Sequence, residues 1–234
     1  MTATPARLAP IVVFVLVSLL HLVSLVVGWT TVSDWTKPFL MPTLGIAAMS
    51  AGALRFGRVG ALLLAALALS TIGDIALLFD GSAPFIAGLT AFLLAHLAYI
   101  VIFAGASGVG RPRAWSIVFV AWLVLLMVIL VPHLGSMLIP VVCYGVVIAA
   151  MAISATRCSP LVVVGATLFL LSDSVLAVNR FVPDANLWQP GLLIMLTYIG
   201  GQSLITWGLV KSWGGRARRV TSRPIPRSRE MSAV

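Results

Sequence analysis

Apolar runs long enough to cross a bilayer recur from one end of this chain to the other, and no other feature narrows its fold so far. A helix spans the hydrocarbon core with about 20 residues. Such runs fall at about 10–28, 38–54, 59–79, 85–105, 114–131, 135–155, 160–180 and 189–210, separated by short polar breaks. Hydrophobic residues make up 61% of the chain and charged ones 9%, and the mean hydropathy of +1.12 lies well outside the make-up of a soluble domain. The predicted fold is therefore all-α: a polytopic integral membrane protein of about eight transmembrane helices, one domain over 1–210, followed by a basic, disordered cytoplasmic tail over 211–234. Pro38, Pro42 and Pro132 interrupt or close the second and fifth runs, where a miscounted short span is the expected error.

Charge provides an independent test, because Lys and Arg concentrate in cytoplasmic loops. With eight spans, one side carries Arg7, Arg55, Arg58, Arg111, Arg113, Arg157, Lys211 and the six arginines that follow it, 13 of the 15 Lys and Arg. The other side holds Lys37 and Arg180 beside Asp34, Asp80 and Asp184. Both termini are thus predicted to be cytoplasmic. The same distribution accounts for the net charge of +9 without a nucleic-acid partner. The tail, with Pro224, Pro226 and several serines, reads as an orientation signal that lies against anionic headgroups. Cys143 and Cys158 support neither a disulfide framework nor a thiolate metal site, and no metal or cofactor is expected. The first run contains His21 and lacks a small-residue cleavage site before Trp29, which predicts a retained helix. Two Lys against 13 Arg, with much Ala and Val, fits a GC-rich bacterial genome and hence a bacterial cell membrane.

The third and seventh runs echo one another. Ser70-Thr71-Ile72-Gly73-Asp74 resembles Leu170-Leu171-Ser172-Asp173, a small residue preceding Asp in both, and the same offset of 99 residues maps Tyr99 onto Tyr198. This pattern hints at duplicated four-helix halves. Depth says more. Asp74 and Asp173 both lie roughly 20–22 Å from the cytoplasmic boundary at about 1.5 Å per residue. An ionised carboxylate at that depth costs at least about 2.5–3.5 kcal/mol, so both acids are expected to face the bundle interior. Phe92, His96 and Tyr99 share one helix face, as do Met195, Tyr198 and Gln202. Asp173 and Arg180 are seven residues apart with Asn179 beside the latter, and Lys37 enters the second run just before Pro38.

No metalloprotease motif, phosphate loop or nucleophile elbow is present in the sequence. Paired carboxylates in a desolvated setting suit general acid–base chemistry instead, one protonated while its partner stays ionised. The bland alternative is a pair of structural ion pairs, Asp74 with Lys37 and Asp173 with Arg180. A proton- or ion-coupled transporter and a non-catalytic lipid-binding protein are rival functions, because intramembrane acids and broken helices serve those as well.

Several segments in order resemble the YhhN family of membrane lysoplasmalogenases. They are Lys37-Pro38-Phe39-Leu40-Met41-Pro42, Ser70 to Asp74, Gly88 to Phe92 leading to His96-Leu97-Ala98-Tyr99, Tyr144 with Met151-Ala152, Ser172-Asp173-Ser174 through Asn179-Arg180-Phe181, and Tyr198-Ile199-Gly200-Gly201-Gln202. Gly201 stands where the resemblance leads one to expect alanine, a small change expected to touch packing. What the resemblance implies is hydrolysis of the vinyl ether bond of a lysoplasmalogen, a membrane lipid substrate, to a fatty aldehyde and a glycerophospho-headgroup. On that reading Asp74 and Asp173 are catalytic, one donating a proton and the other stabilising the cation and activating water, as carboxylate pairs do in glycoside hydrolysis. His96, Tyr99, Tyr198 and Gln202 would orient water and glycerol. Lys37, Asn179 and Arg180 would meet the polar headgroup.

Overall fold

A computed structural model describes residues 5–105 and 107–221 of the chain. Among the described residues every regular element is helical: α1 (Pro5–Val27), α2 (Thr30–Thr36), α3 (Leu40–Ser50), α4 (Arg58–Ala76), α5 (Ser82–Ala104), α6 (Ile117–Leu134), α7 (Leu138–Ala155), α8 (Pro160–Phe181) and α9 (Pro190–Thr221), with short 3-10 turns between some of them. Lipid offers no water to backbone polar groups, and a helix satisfies them within its own segment. Six helical stretches among the described residues are long and apolar enough to cross a membrane. One of these, Ala114–Ala155, is itself two helices. Gly135, at φ 49°, breaks it, and α6 folds back so that Leu123 and Met127 lie against Gly145 of α7.

The second expected span is interrupted. A 3-10 turn, Lys37–Phe39, separates α2 from α3, because Pro38 brings no N–H and its ring crowds the preceding turn. At 11 residues, α3 is about 16 Å long and too short to cross alone. Both α2 and α3 pack against α1, where His21 Nδ1 and Thr36 Oγ1 are 2.9 Å apart. At the other end of the chain, α9 continues past 210 to Thr221, so the first part of the expected tail is helical. Residues 222–234 lie outside the described residues.

Two tight helix pairs bring the polar residues inward. In α4–α5, a Cβ on Gly73 would come within 2.5 Å of the Phe92 ring, and one on Gly88 would meet Gly73 O at 3.3 Å. In α8–α9, Gly165 and Gly201 face one another backbone to backbone. Small residues let helices approach in this way where lipid supplies no hydrophobic drive. The outward faces of α1 and α6 are exposed and apolar, Leu16, Leu19, Val124 and Val128 among them, as contact with hydrocarbon requires.

Candidate active site

Desolvation dictates what a polar residue inside such a bundle must do: find a partner, or border a space that holds one. Asp74 sits near the end of α4, is 2% exposed, and accepts a 2.8 Å hydrogen bond on Oδ2 from the Tyr198 hydroxyl of α9. Asp173, on α8 and partly exposed, accepts on Oδ2 from the Tyr144 hydroxyl of α7. Each carboxylate therefore lies under one phenol from a different helix. Both border the same cavity of about 330 Å³, with Lys37, Asn179, Arg180 and Tyr198. Apolar walls from Leu77, Phe85, Phe92 and Leu176 complete it.

Behind Asp74 runs a second, fully buried polar chain. Tyr99 donates to Gln202 Oε1 at 2.6 Å, and Gln202 Nε2 donates to Ser70 Oγ at 3.0 Å. This network joins α5, α9 and α4 one turn below the acid. Phe92 and Phe169 stand edge-on to the Tyr198 ring, with centroids 5.9 and 5.3 Å away, and fix the phenol that meets Asp74.

The residues singled out from sequence therefore divide. Asp74, Asp173, Lys37, Asn179, Arg180 and Tyr198 converge on the cavity. Tyr99 and Gln202 form the buried support beneath it. His96 does neither: it is 0% exposed, packed edge-on against Phe169 at 4.6 Å and Tyr144 at 5.4 Å. Among the described residues neither of its ring nitrogens has a hydrogen-bond partner. Arg180 donates to Gly81 O at 3.3 Å and lies 4.3 Å over the Phe85 ring, which holds its guanidinium at the cavity rim.

Tyr144 is the site residue that sequence reasoning left out of the site. It occurred in a resembling segment, yet nothing along the chain says that α7 turns this ring onto α8. Nor do the two Asp–Tyr pairs follow the 99-residue offset. Tyr198, the counterpart of Tyr99, serves Asp74, while Asp173 is met by Tyr144, whose counterpart position is Gly45.

Comparison with known proteins follows the same residues. The sequence model of the YhhN family matches residues 32–209, a span that takes in Lys37, both aspartates, the tyrosines and Gln202. The human protein named lysoplasmalogenase TMEM86B is 35% identical over 154 residues, covering 64% of this chain and 64% of the human one. The rat protein of the same name is 30% identical over 187 residues, covering 80% of this chain and 76% of its own. The chain thus spans somewhat less than two thirds of the human relative's length. No solved structure matches.

Proposed function

Since the chain belongs to the YhhN family, we propose that it is a membrane lysoplasmalogenase that hydrolyses the vinyl ether bond of a lysoplasmalogen to a fatty aldehyde and a glycerophospho-headgroup. The observation that carries this reading is the meeting of Asp74 and Asp173, from α4 and α8, on one cavity whose rim is cationic and whose walls are apolar. A lysolipid has those three parts: a reactive ether, a phosphate and a hydrocarbon chain.

The chemistry begins with protonation of the vinyl ether's β-carbon. One aspartate, as its carboxylic acid, donates that proton and leaves an oxocarbenium ion. The other, ionised, stabilises the cation and takes a proton from the water that adds to it. The resulting hemiacetal collapses to aldehyde and alcohol, and the proton returns to the first aspartate. Tyr198 and Tyr144 orient the two carboxylates, each using one oxygen and leaving the other for substrate or water. Lys37, Asn179 and Arg180 receive the phosphate and glycerol at the rim, in reach of the aqueous boundary.

The alkyl chain leaves the cavity past Asp173. A narrow apolar space shares Leu77, Phe85, Phe92 and Asp173 with the polar cavity. It shares Val141, Tyr144 and Ala177 with a further space that opens between α6, α7 and α8 at Leu123 and Met127. A hydrocarbon tail following this seam reaches the lipid-facing side of α6.

With α2–α3 counted as one interrupted crossing, the chain crosses the membrane eight times, both termini lie in the cytoplasm, and the cavity opens toward the outer side of a cell membrane. Aldehyde release from the detergent-purified protein tests the reaction. The vinyl ether lysolipid is expected to yield aldehyde and the saturated lyso-ether none. Wild-type protein that folds and yields no aldehyde would overturn the assignment.

A further inference from the structure

At the end of the bundle away from the aspartates lies a second cavity, of about 560 Å³ and different in kind. Residues after α5, the turn between α7 and α8 and the C-terminal part of α9 enclose it. Arg111, Arg113, Arg157 and Lys211 line it with Thr156 and Ser159, and among the described residues no carboxylate does. Arg157 has a structural task. Its Nε and Nη1 donate to Gly110 O at 2.7 Å and Ala104 O at 2.6 Å, while its own carbonyl accepts from Val109 N at 2.9 Å. The Arg113 backbone N–H is pinned to Thr156 Oγ1 at 3.2 Å. These bonds hold the segment so that the exposed Arg111, Arg113 and Lys211 surround one space.

Two further features have the same sign. Ser159 is the residue just before α8, so the cavity meets the N-terminal end of a 22-residue helix, where the backbone dipoles favour an anion. The Ser159 hydroxyl oxygen is buried and lacks a hydrogen-bond partner among the described residues. Like charges gathered with no counter-charge among the described residues repel one another, and an anion relieves that repulsion. The planar forks of Arg111 and Arg113 match the oxygens of a phosphate.

We propose that this cavity binds a phosphate group, at a site distinct from the one that cleaves the lipid. Asp173 lies fourteen positions beyond Ser159 along α8, about 21 Å at 1.5 Å per residue, so one lysolipid headgroup does not occupy both. The phosphate comes from the headgroup of an anionic phospholipid in the adjoining leaflet or from a soluble phosphate. The proposal is independent of the reaction assigned above.

Two probes separate the sources. The full-length protein is placed in nanodiscs of phosphatidylcholine with and without phosphatidylglycerol, and retained lipid is read by native mass spectrometry. In detergent, the thermal midpoint is followed as inorganic phosphate is added against matched chloride. The comparison variants are Arg111→Gln, Arg111→Gln with Arg113→Gln, and Arg55→Gln, the last a basic residue of the same side that does not line the cavity. Retention of phosphatidylglycerol without a phosphate shift identifies a headgroup site, and a phosphate shift identifies a soluble ligand. In either case the double variant is expected to weaken binding by about tenfold or more, the single variant by less, and Arg55→Gln to match wild type. Binding of neither probe, or equal loss in Arg55→Gln, would overturn the proposal.

Discussion

A phenol that donates to a carboxyl oxygen in a low-dielectric interior satisfies that oxygen and fixes the acid's rotamer in one interaction. Tyr198 does this for Asp74 and Tyr144 for Asp173, so the two variants Asp74→Asn and Asp173→Asn are expected to lower aldehyde release by about a hundredfold or more while the protein still inserts. Retained turnover in either purified variant would remove that residue from the catalytic pair. Tyr198→Phe and Tyr144→Phe, which leave the acids in place, should give smaller losses, seen chiefly in kcat. Behind them, Gln202→Leu would strand the Tyr99 hydroxyl and Ser70 Oγ. The cost is about 1–3 kcal/mol, read as a lowered unfolding midpoint in detergent. Most residues that line the candidate cavity were legible one by one, because helical spacing set Tyr198 on one face with Gln202 and the expected depth paired the two acids. Tyr144 was not, since its role depends on which face of α7 meets α8. His96 was placed on the correct face of α5, yet Phe169 and Tyr144 close over it and keep it from the cavity.

Between elements, glycine decides how near two helices come. A Cβ on Gly201 would lie 2.8 Å from Gly165 O and 3.0 Å from Phe169 N, and one on Gly165 would lie 2.7 Å from Gly201 O. These neighbours are backbone atoms that cannot rotate away. Gly201→Ala is therefore expected to push α8 from α9, destabilising the protein by about 1–3 kcal/mol and reducing turnover, since Asp173 and Tyr198 ride on the two helices. An unchanged melting profile would show that the pair accommodates the methyl group. The sequence marked Gly201 as a departure affecting packing, but the backbone of Gly165 opposite it became evident only when both helices were in place. Pro38 was likewise visible as an interruption. That it yields a 3-10 turn carrying Lys37 to the cavity depends on α4, against which the turn packs.

Across the whole molecule, the apolar seam from Asp173 to the side of α6 predicts selection by chain length. Ala177→Leu, at a position bordering both apolar spaces, should reduce kcat/KM for long-chain substrates more than for short ones. Equal reduction across chain lengths would place the tail elsewhere. Composition and periodicity by themselves determined that this chain is helical and belongs in lipid, because apolar run length and the need to satisfy the backbone leave no other solution. They also paired two acids by expected depth, since rise per residue converts sequence position into distance along an axis, and both acids border one cavity. Azimuth and neighbour lie beyond that reach. Which helix faces which is settled by packing among many nearly equivalent apolar surfaces, and only the tertiary structure decided that Tyr144 meets Asp173, that His96 is sealed, and that cations from three separate stretches of the chain line one cavity.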